Sequence, residues 1–100
     1  MIGEDEVMAA LRNVYDPETG LTVVDLGLIY GVAVQPASGN VEVSMTFTTP
    51  ACPAGGAMRE GVDRALRALP GVTGVDVQVI FEPPWTPERI SADGRAQLGC

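Results

Sequence analysis

The sequence predicts an α+β fold, a two-layer α/β sandwich in which two helices cover one face of a small mixed sheet. Residues 41–48 and 75–81 alternate between apolar and polar side chains, as half-buried strands do. Residues 4–15 and 53–69 instead place apolar side chains at the spacing of one helical face. With a further strand at about 28–34, the predicted order is α-β-β-α-β with a short helical C-terminal tail.

The first helix is predicted over residues 4–15. Glu4, Asp5 and Glu6 occupy its first turn, where the helix dipole favours negative charge. Asp16 precedes a proline, and a residue in that position is pushed out of the α region. We therefore expect the helix to end at about Tyr15.

The middle of the chain predicts a β-hairpin followed by a second helix. Residues 36–40 have the composition of a turn between the two strands. Pro53 suits the first position of a helix, where its missing N–H costs nothing. Pro70 and Gly71 stop that helix, and the third strand follows them.

The C-terminal tail cannot form one long element, because prolines occupy three positions between Glu82 and Pro87. The sequence predicts a short helical turn that begins at Thr86 or Pro87 and runs through Ile90. Ser91 is expected to cap a last helix that reaches Leu98.

Length and charge limit the classes of function. One hundred residues correspond to a single domain, predicted over 1–100. A net charge of −7 disfavours nucleic-acid and anionic-membrane partners, which require a basic surface. No apolar run approaches the roughly 20 residues of a membrane span, and the N-terminus lacks the pattern of a signal peptide. We therefore expect a cytoplasmic protein.

The chain contains no histidine. Ser-His-Asp and Cys-His catalysis and imidazole-based zinc sites are thereby excluded within one chain. The two cysteines, Cys52 and Cys100, are predicted to be reduced thiols, because small disulfide scaffolds usually carry more cysteines.

Cys52 is the strongest candidate for chemistry. It falls at or just before the start of the second helix, where free N–H groups and the positive end of the dipole converge. Such a position stabilises a thiolate, the form that binds iron or attacks an electrophile. Gly55 and Gly56 leave backbone open to a ligand. Alternatively, Cys52 is a small buried hydrophobe and the glycines only permit close packing.

Other polar and aromatic residues have two interpretations each. Asp25 lies in an apolar run and either faces a polar site or caps its own turn. Thr48 and Thr49 either line the site or cap the second helix. Trp85 is either a lid over the edge of the core or an anchor for a partner protein.

Four motifs carry a resemblance to a known family. In chain order, they are Asp16-Pro17-Glu18; Val24-Asp25-Leu26-Gly27-Leu28-Ile29-Tyr30; Met45-Thr46-Phe47-Thr48-Thr49-Pro50-Ala51-Cys52-Pro53; and Phe81-Glu82-Pro83-Pro84-Trp85. Together they resemble the metal–sulfur cluster biosynthetic family that includes SufT and PaaD. The likeness extends from Glu4 to about Leu98.

The resemblance implies a non-enzymatic factor that assembles or delivers iron–sulfur clusters as a carrier or adaptor. Cys52 would be the candidate cluster ligand, and Trp85 would contact a partner. Asp25, Thr48 and Thr49 lie in the family's other motifs, and with Gly55 and Glu82 they are the residues predicted to line the site. The partners implied are iron–sulfur assembly proteins or client apo-proteins, with a possible homodimer.

Two alternatives remain besides this general role. A PaaD-like factor would mature an aromatic-acid oxygenase, but that branch typically carries a cysteine-bearing C-terminal extension that these residues lack. The other alternative is a different class of protein, either a cysteine-dependent enzyme or a pure protein-interaction module. A transient iron–sulfur cluster is the only cofactor implied, and two thiols per chain cannot supply the usual four ligands. Any cluster would therefore be shared with a second copy, a partner or a small thiol.

Overall fold

A computed structural model describes residues 2–17, 19–48 and 55–98, with only the backbone of residue 98. The α+β class and the α-β-β-α-β order are confirmed, and the helical tail is present. The elements are α1 (Glu4–Leu11), β1 (Ile29–Gln35), β2 (Asn40–Met45), α2 (Gly55–Arg67), β3 (Gly74–Val79), a 3₁₀ turn (Pro87–Arg89) and α3 (Ala92–Leu98).

The sheet is mixed, as predicted, and its central strand is β2. β2 pairs antiparallel with β1, through a hairpin that joins Gln35 to Asn40. On its other side β2 pairs parallel with β3, in register from Asn40 and Gly74 to Met45 and Val79. A parallel pair requires a crossover connection, and α2 lies within it.

The core lies between the sheet and the helices. Its strand residues include Val41, Val43 and Met45, which are at most 1% exposed. Both helices bury one face in this core, and so does the segment before β1. The helical residues are Val7, Ala10, Leu11, Met58, Val62 and Leu66, and those of the segment are Leu21, Val23, Leu26 and Leu28. No helix in the described ranges is long and apolar enough to cross a membrane.

α1 is shorter than predicted. It ends at Leu11, and the Asn13 and Val14 amides donate to carbonyls three residues back, which tightens the chain into a turn. Val14 then accepts a hydrogen bond from the Val23 N–H, and Tyr15 forms an isolated bridge with Thr22. The expected helix to Tyr15 is wrong because this tertiary pairing replaces its last turn.

β2 also ends early, at Met45 rather than near Thr48. The register with β1 shifts between Ile29 and Gly31, and the ladder ends with the pair of Ile29 and Met45. The Thr46 N–H donates to the Leu28 carbonyl at 2.8 Å, outside the strand.

Leu66 provides a test of this core. The side chain is 0% exposed on the buried face of α2. We expect Leu66→Ala to lower the free energy of unfolding by about 2–5 kcal/mol, because it leaves a cavity. Urea denaturation monitored by circular dichroism would measure the loss. Arg64→Ala on the exposed face of the same helix is the control, and an equal loss there would contradict the packing.

Candidate functional site

The candidate site is the connection between β2 and α2. Thr48 is half-buried at its start, and Gly55 opens α2 at its end. Cys52 and Thr49, both predicted site residues, lie outside the described residues. Because β2, α2 and β3 form a parallel crossover, the connection joins the carboxyl end of the central strand to the amino end of the helix.

The amino end of α2 is fixed by an aromatic ring. Gly55 is buried, and a β-carbon there would lie 2.6 Å from Cε2 of Phe47. The ring therefore occupies the space that any larger residue would need. The contact with Phe47 supports a close-packing role for Gly55. Its role in lining a site stays a prediction. At Gly56 a β-carbon would meet nothing within 4 Å.

Phe47 in turn contacts Phe81, which follows β3. The two ring centroids lie 6.2 Å apart at an interplanar angle of 66°, an edge-to-face arrangement. Phe81 is 41% exposed despite this contact. The ends of β2 and β3 are thus linked to the start of α2 through this edge-to-face pair of rings.

Asp25 connects two distant parts of the chain. Its carboxylate accepts a hydrogen bond from the Ser91 hydroxyl at 2.9 Å, and its carbonyl accepts from the Ser91 N–H at 2.7 Å. The Thr22 hydroxyl accepts from the Asp25 N–H at 3.0 Å and so organises the local turn. The Asp25 carboxylate therefore makes a tertiary hydrogen bond with Ser91. Among the described hydrogen bonds, none runs from the turn of Asp25 to this carboxylate, as capping of that turn would require.

Ser91 also caps α3 while it is bound to Asp25. Its hydroxyl oxygen also accepts a hydrogen bond from the Gly94 N–H at 3.0 Å, the bond of an N-cap. The predicted cap of the last helix is confirmed. Asp25 therefore holds the start of α3 against the segment before β1.

Further contacts extend this junction along the tail. Trp85 is half-buried, and its Nε1–H donates to the Leu26 carbonyl at 2.6 Å. The Tyr30 hydroxyl donates to the Pro83 carbonyl at 2.8 Å. The Arg89 guanidinium lies 4.5 Å from the centre of the Tyr30 ring, within cation–π range. We call residues 83–95 the clasp and residues 22–30 the clasped segment.

Gly27 shows how closely the clasp approaches. Its φ is +73°, which favours glycine, and a β-carbon there would collide with the backbone and Cβ of Arg89.

The hydrogen bond of Trp85 to Leu26 agrees with the predicted role of Trp85 as a lid over the edge of the core. Its role as an anchor for a partner protein stays a prediction. Sequence reasoning found Asp25 and Ser91 separately, but no local signal linked them, because the two residues are 66 positions apart.

The remaining predicted residues are not brought together by described hydrogen bonds. Thr48 and Glu82 form none within the described ranges, and Glu82 is exposed. No group of three or more His, Cys, Asp or Glu residues that could hold a metal ion occurs in that part of the chain. The cysteines lie outside it, so their ligand role stays a prediction.

Comparison with known proteins identifies the family. The chain belongs to the iron-sulfur cluster assembly protein family, whose profile matches residues 4–79. It is 43% identical over 96 residues to an Fe-S protein maturation auxiliary factor of Porphyromonas gingivalis, covering 96% of this chain and 90% of that protein. The family resemblance seen in the motifs is confirmed.

Two further relatives bear on fold and role. A Bacillus anthracis domain of unknown function, DUF59, superposes with a TM-score of 0.90 at 36% identity, covering 96% of this chain and 91% of that one. An iron-sulfur cluster carrier protein of Synechocystis is 38% identical over 99 residues, which are 99% of this chain but 27% of that protein. These relationships support a role in iron–sulfur cluster assembly.

The Asp25–Ser91 junction predicts a measurable loss of stability. Ser91→Ala removes both the partner of the Asp25 carboxylate and the cap of α3. We expect the free energy of unfolding to fall by about 0.5–2 kcal/mol, with faster amide exchange in α3. Ser44→Ala is the control, since its hydroxyl forms no hydrogen bond in the described part of the chain. Equal effects of the two variants would refute the junction.

The two glycines that begin α2 should respond in opposite directions. Gly55→Ala must displace the Phe47 ring and is expected to cost about 1–3 kcal/mol of unfolding free energy. Gly56→Ala meets open space and should stabilise the helix by up to about 1 kcal/mol. Thermal denaturation of both variants checks the pair. A stabilising Gly55→Ala would show that the ring does not pack there.

Proposed function

We propose that this protein is a non-enzymatic carrier or adaptor that delivers iron–sulfur clusters, with Cys52 as its ligand. The observation that carries the proposal is family membership over residues 4–79, which include the motif with Cys52. The cluster is cargo here, bound and passed on rather than kept. The relative from Synechocystis is itself named an iron-sulfur cluster carrier protein.

The environment described next to Cys52 suits a thiolate ligand. Cys52 precedes Gly55, the first residue of α2, by three positions in the sequence. The amino end of a helix offers free N–H groups and a positive dipole end, which favour the ionised thiol. The Phe47 ring packs against Gly55, the first described residue of that helix. This packing is the support we propose for the thiol.

The ligand count favours transfer. A [2Fe–2S] or [4Fe–4S] cluster usually takes four cysteine ligands, and this chain has two cysteines. The remaining ligands would come from a second copy in a homodimer, from a partner protein or from a small thiol. Few ligands from one chain make release to a client easier.

The proposed partners are iron–sulfur assembly proteins and client apo-proteins. A reducing compartment is needed to keep both thiols free, so we place the protein in the cytoplasm. We propose no catalytic step for it. The chain has no histidine, so a Cys52 nucleophile would lack an imidazole base.

Anaerobic reconstitution tests the ligand directly. Purified protein is incubated with ferrous iron and sulfide, excess reagents are removed, and absorption spectra and bound iron and sulfide are measured. We expect visible bands at ~400 nm in the parent, and their loss in Cys52→Ser, because the thiolate–iron bonds are gone.

Cys100→Ser is the matched control for this experiment, since it removes the other thiol of the chain. Retention of the bands in Cys100→Ser would assign the cluster to Cys52. Bands of equal intensity in Cys52→Ser and the parent would refute Cys52 as ligand. A parent protein without bands would favour an adaptor that acts on clusters held by a partner.

A further inference from the structure

The clasp contributes little to the buried core. Every buried apolar side chain in the described ranges lies between Ile2 and Val77, so none belongs to the clasp. Trp85 and Ile90 pack against the core but are only half-buried, and Gly94 is the one buried residue among the described residues of the clasp. A segment with few buried apolar contacts opens locally at a small cost in free energy. We therefore expect the clasp to be less stable than the sheet.

The hydrogen bonds that hold the clasp converge on two adjacent residues. The Ser91 hydroxyl donates to the carboxylate of Asp25, and the Ser91 N–H donates to its carbonyl. The Trp85 indole N–H donates to the carbonyl of the next residue, Leu26. Water can replace each of these donors, so each bond stabilises the closed clasp only modestly. All three donors belong to one segment and are lost together if that segment moves.

A bulge in β1 provides a further attachment. The pairing with β2 shifts between Ile29 and Gly31, and Tyr30 is the extra residue. The Tyr30 hydroxyl donates to the Pro83 carbonyl in an exposed position, and the Arg89 guanidinium lies over the Tyr30 ring. Bulges redirect a side chain, and this one belongs to the residue that reaches the clasp. This attachment too lies at the surface.

Phe81 and Glu82 join the sheet to the clasp and have the properties of a hinge. Both are exposed, and within the described ranges neither forms a backbone hydrogen bond to another backbone group. The chain before them is fixed, because the Ile80 N–H donates to the Met45 carbonyl at 2.8 Å and the Phe81 ring contacts Phe47. A few loop residues of this kind absorb the changes in φ and ψ of a moving segment.

We propose that the clasp is a releasable strap, which opens as one unit about Phe81 and Glu82 while the α/β sandwich stays folded. In the closed state its donors satisfy Asp25 and Leu26, and Arg89 lies against Tyr30. In the open state water takes the place of these donors. Because the attachments are polar and lie on one short segment, they break and form together.

Opening of the clasp has a consequence for the candidate site. The Leu28 carbonyl, in the clasped segment, accepts a hydrogen bond from the Thr46 N–H at 2.8 Å. Thr46 follows β2 directly and begins the connection that contains Cys52 in sequence. The closed clasp therefore steadies the segment that holds this connection, and the open clasp loosens it. The opening goes beyond the proposed function, and only its use in controlling cluster handling rests on that function.

Native-state hydrogen exchange, measured residue by residue by NMR, tests the strap. Metal-free, reduced protein of full length is used, so the result is independent of cluster binding. The reporter amides are those of Ser91, Gly94 and Arg95, each of which donates a hydrogen bond in the closed clasp. We expect these three amides to lose protection together, with protection factors at least about tenfold below those of the most protected β2 amides.

Tyr30→Phe separates opening as a unit from local fraying. The variant removes the hydroxyl that binds Pro83 and keeps the ring that Arg89 contacts. We expect exchange at all three reporter amides to become about threefold faster or more, although Tyr30 forms no described hydrogen bond to any of them. The Thr46 amide should accelerate with them. Circular dichroism verifies that the sandwich remains folded.

Thr73→Val is the matched control, because it also removes a hydrogen bond from a side-chain hydroxyl to a backbone carbonyl, that of Ser38. Thr73 lies at the opposite end of the sheet, next to the pair of Gly74 and Asn40. We expect the control to leave the reporter amides unchanged. Equal acceleration in both variants would overturn the proposal, because the clasp would then open only by global unfolding.

Trp85 gives a second measurement, since it is the one tryptophan of the chain. Its emission should change at a lower urea concentration than the far-ultraviolet circular dichroism of the sandwich, because the clasp opens first. Coincident transitions, together with equal protection of clasp and β2 amides, would overturn the proposal. So would a Tyr30→Phe variant in which the reporter amides or the Thr46 amide exchange as in the parent.

Discussion

Because β2 and β3 run parallel, the chain must cross from one end of the sheet to the other between them, and α2 makes that crossing. This requirement sets the amino end of α2 near the carboxyl end of the central strand. The connection that contains Cys52 lies between them in sequence. Buried Val41, Val43 and Met45 anchor β2, so the rest of the site depends on the most buried strand.

A second constraint comes from the end of the chain. The clasp binds the clasped segment through side-chain and backbone hydrogen bonds, a cation–π contact and the tight approach at Gly27. The family profile ends at residue 79, before the clasp begins. Asp25 is therefore tied to a part of the chain that lies outside the matched residues. Its hydrogen bond to Ser91 gives it a structural task whether or not it also lines a site.

The fold was largely predictable because its signals are local. Alternation in residues 41–45 and 75–79 reflects strands with one buried face, and the apolar stripe of α2 reflects its packing. The boundaries were less predictable. Apolar Val14 fits a helical pattern, but its carbonyl pairs with the Val23 N–H instead. The hydrophobic periodicity indicates that the Val14 side chain is buried. It cannot distinguish a helical backbone at Val14 from one that pairs with another segment.

The site was predictable only in part, for the same reason. Chain order predicts Cys52 at the start of a helix, because a proline follows it and the helical pattern begins there, but Cys52 lies outside the described residues. The contact of Phe47 with Gly55 and the reach of Ser91 to Asp25 depend on tertiary approach. The hydrogen bonds from Arg59 and Arg67 to backbone carbonyls of β3 likewise form only when α2 and β3 are packed together.

The central claim is that the thiol of Cys52 serves iron–sulfur cluster delivery to clients. The most direct measurement is the activity and iron content of an iron–sulfur enzyme, purified from cells that lack this protein and are supplied with a chosen variant. We predict that the parent chain restores both quantities. We predict that Cys52→Ser, expressed at the same level and folded, restores neither. Full restoration by Cys52→Ser would contradict the account and leave the fold without its proposed chemistry.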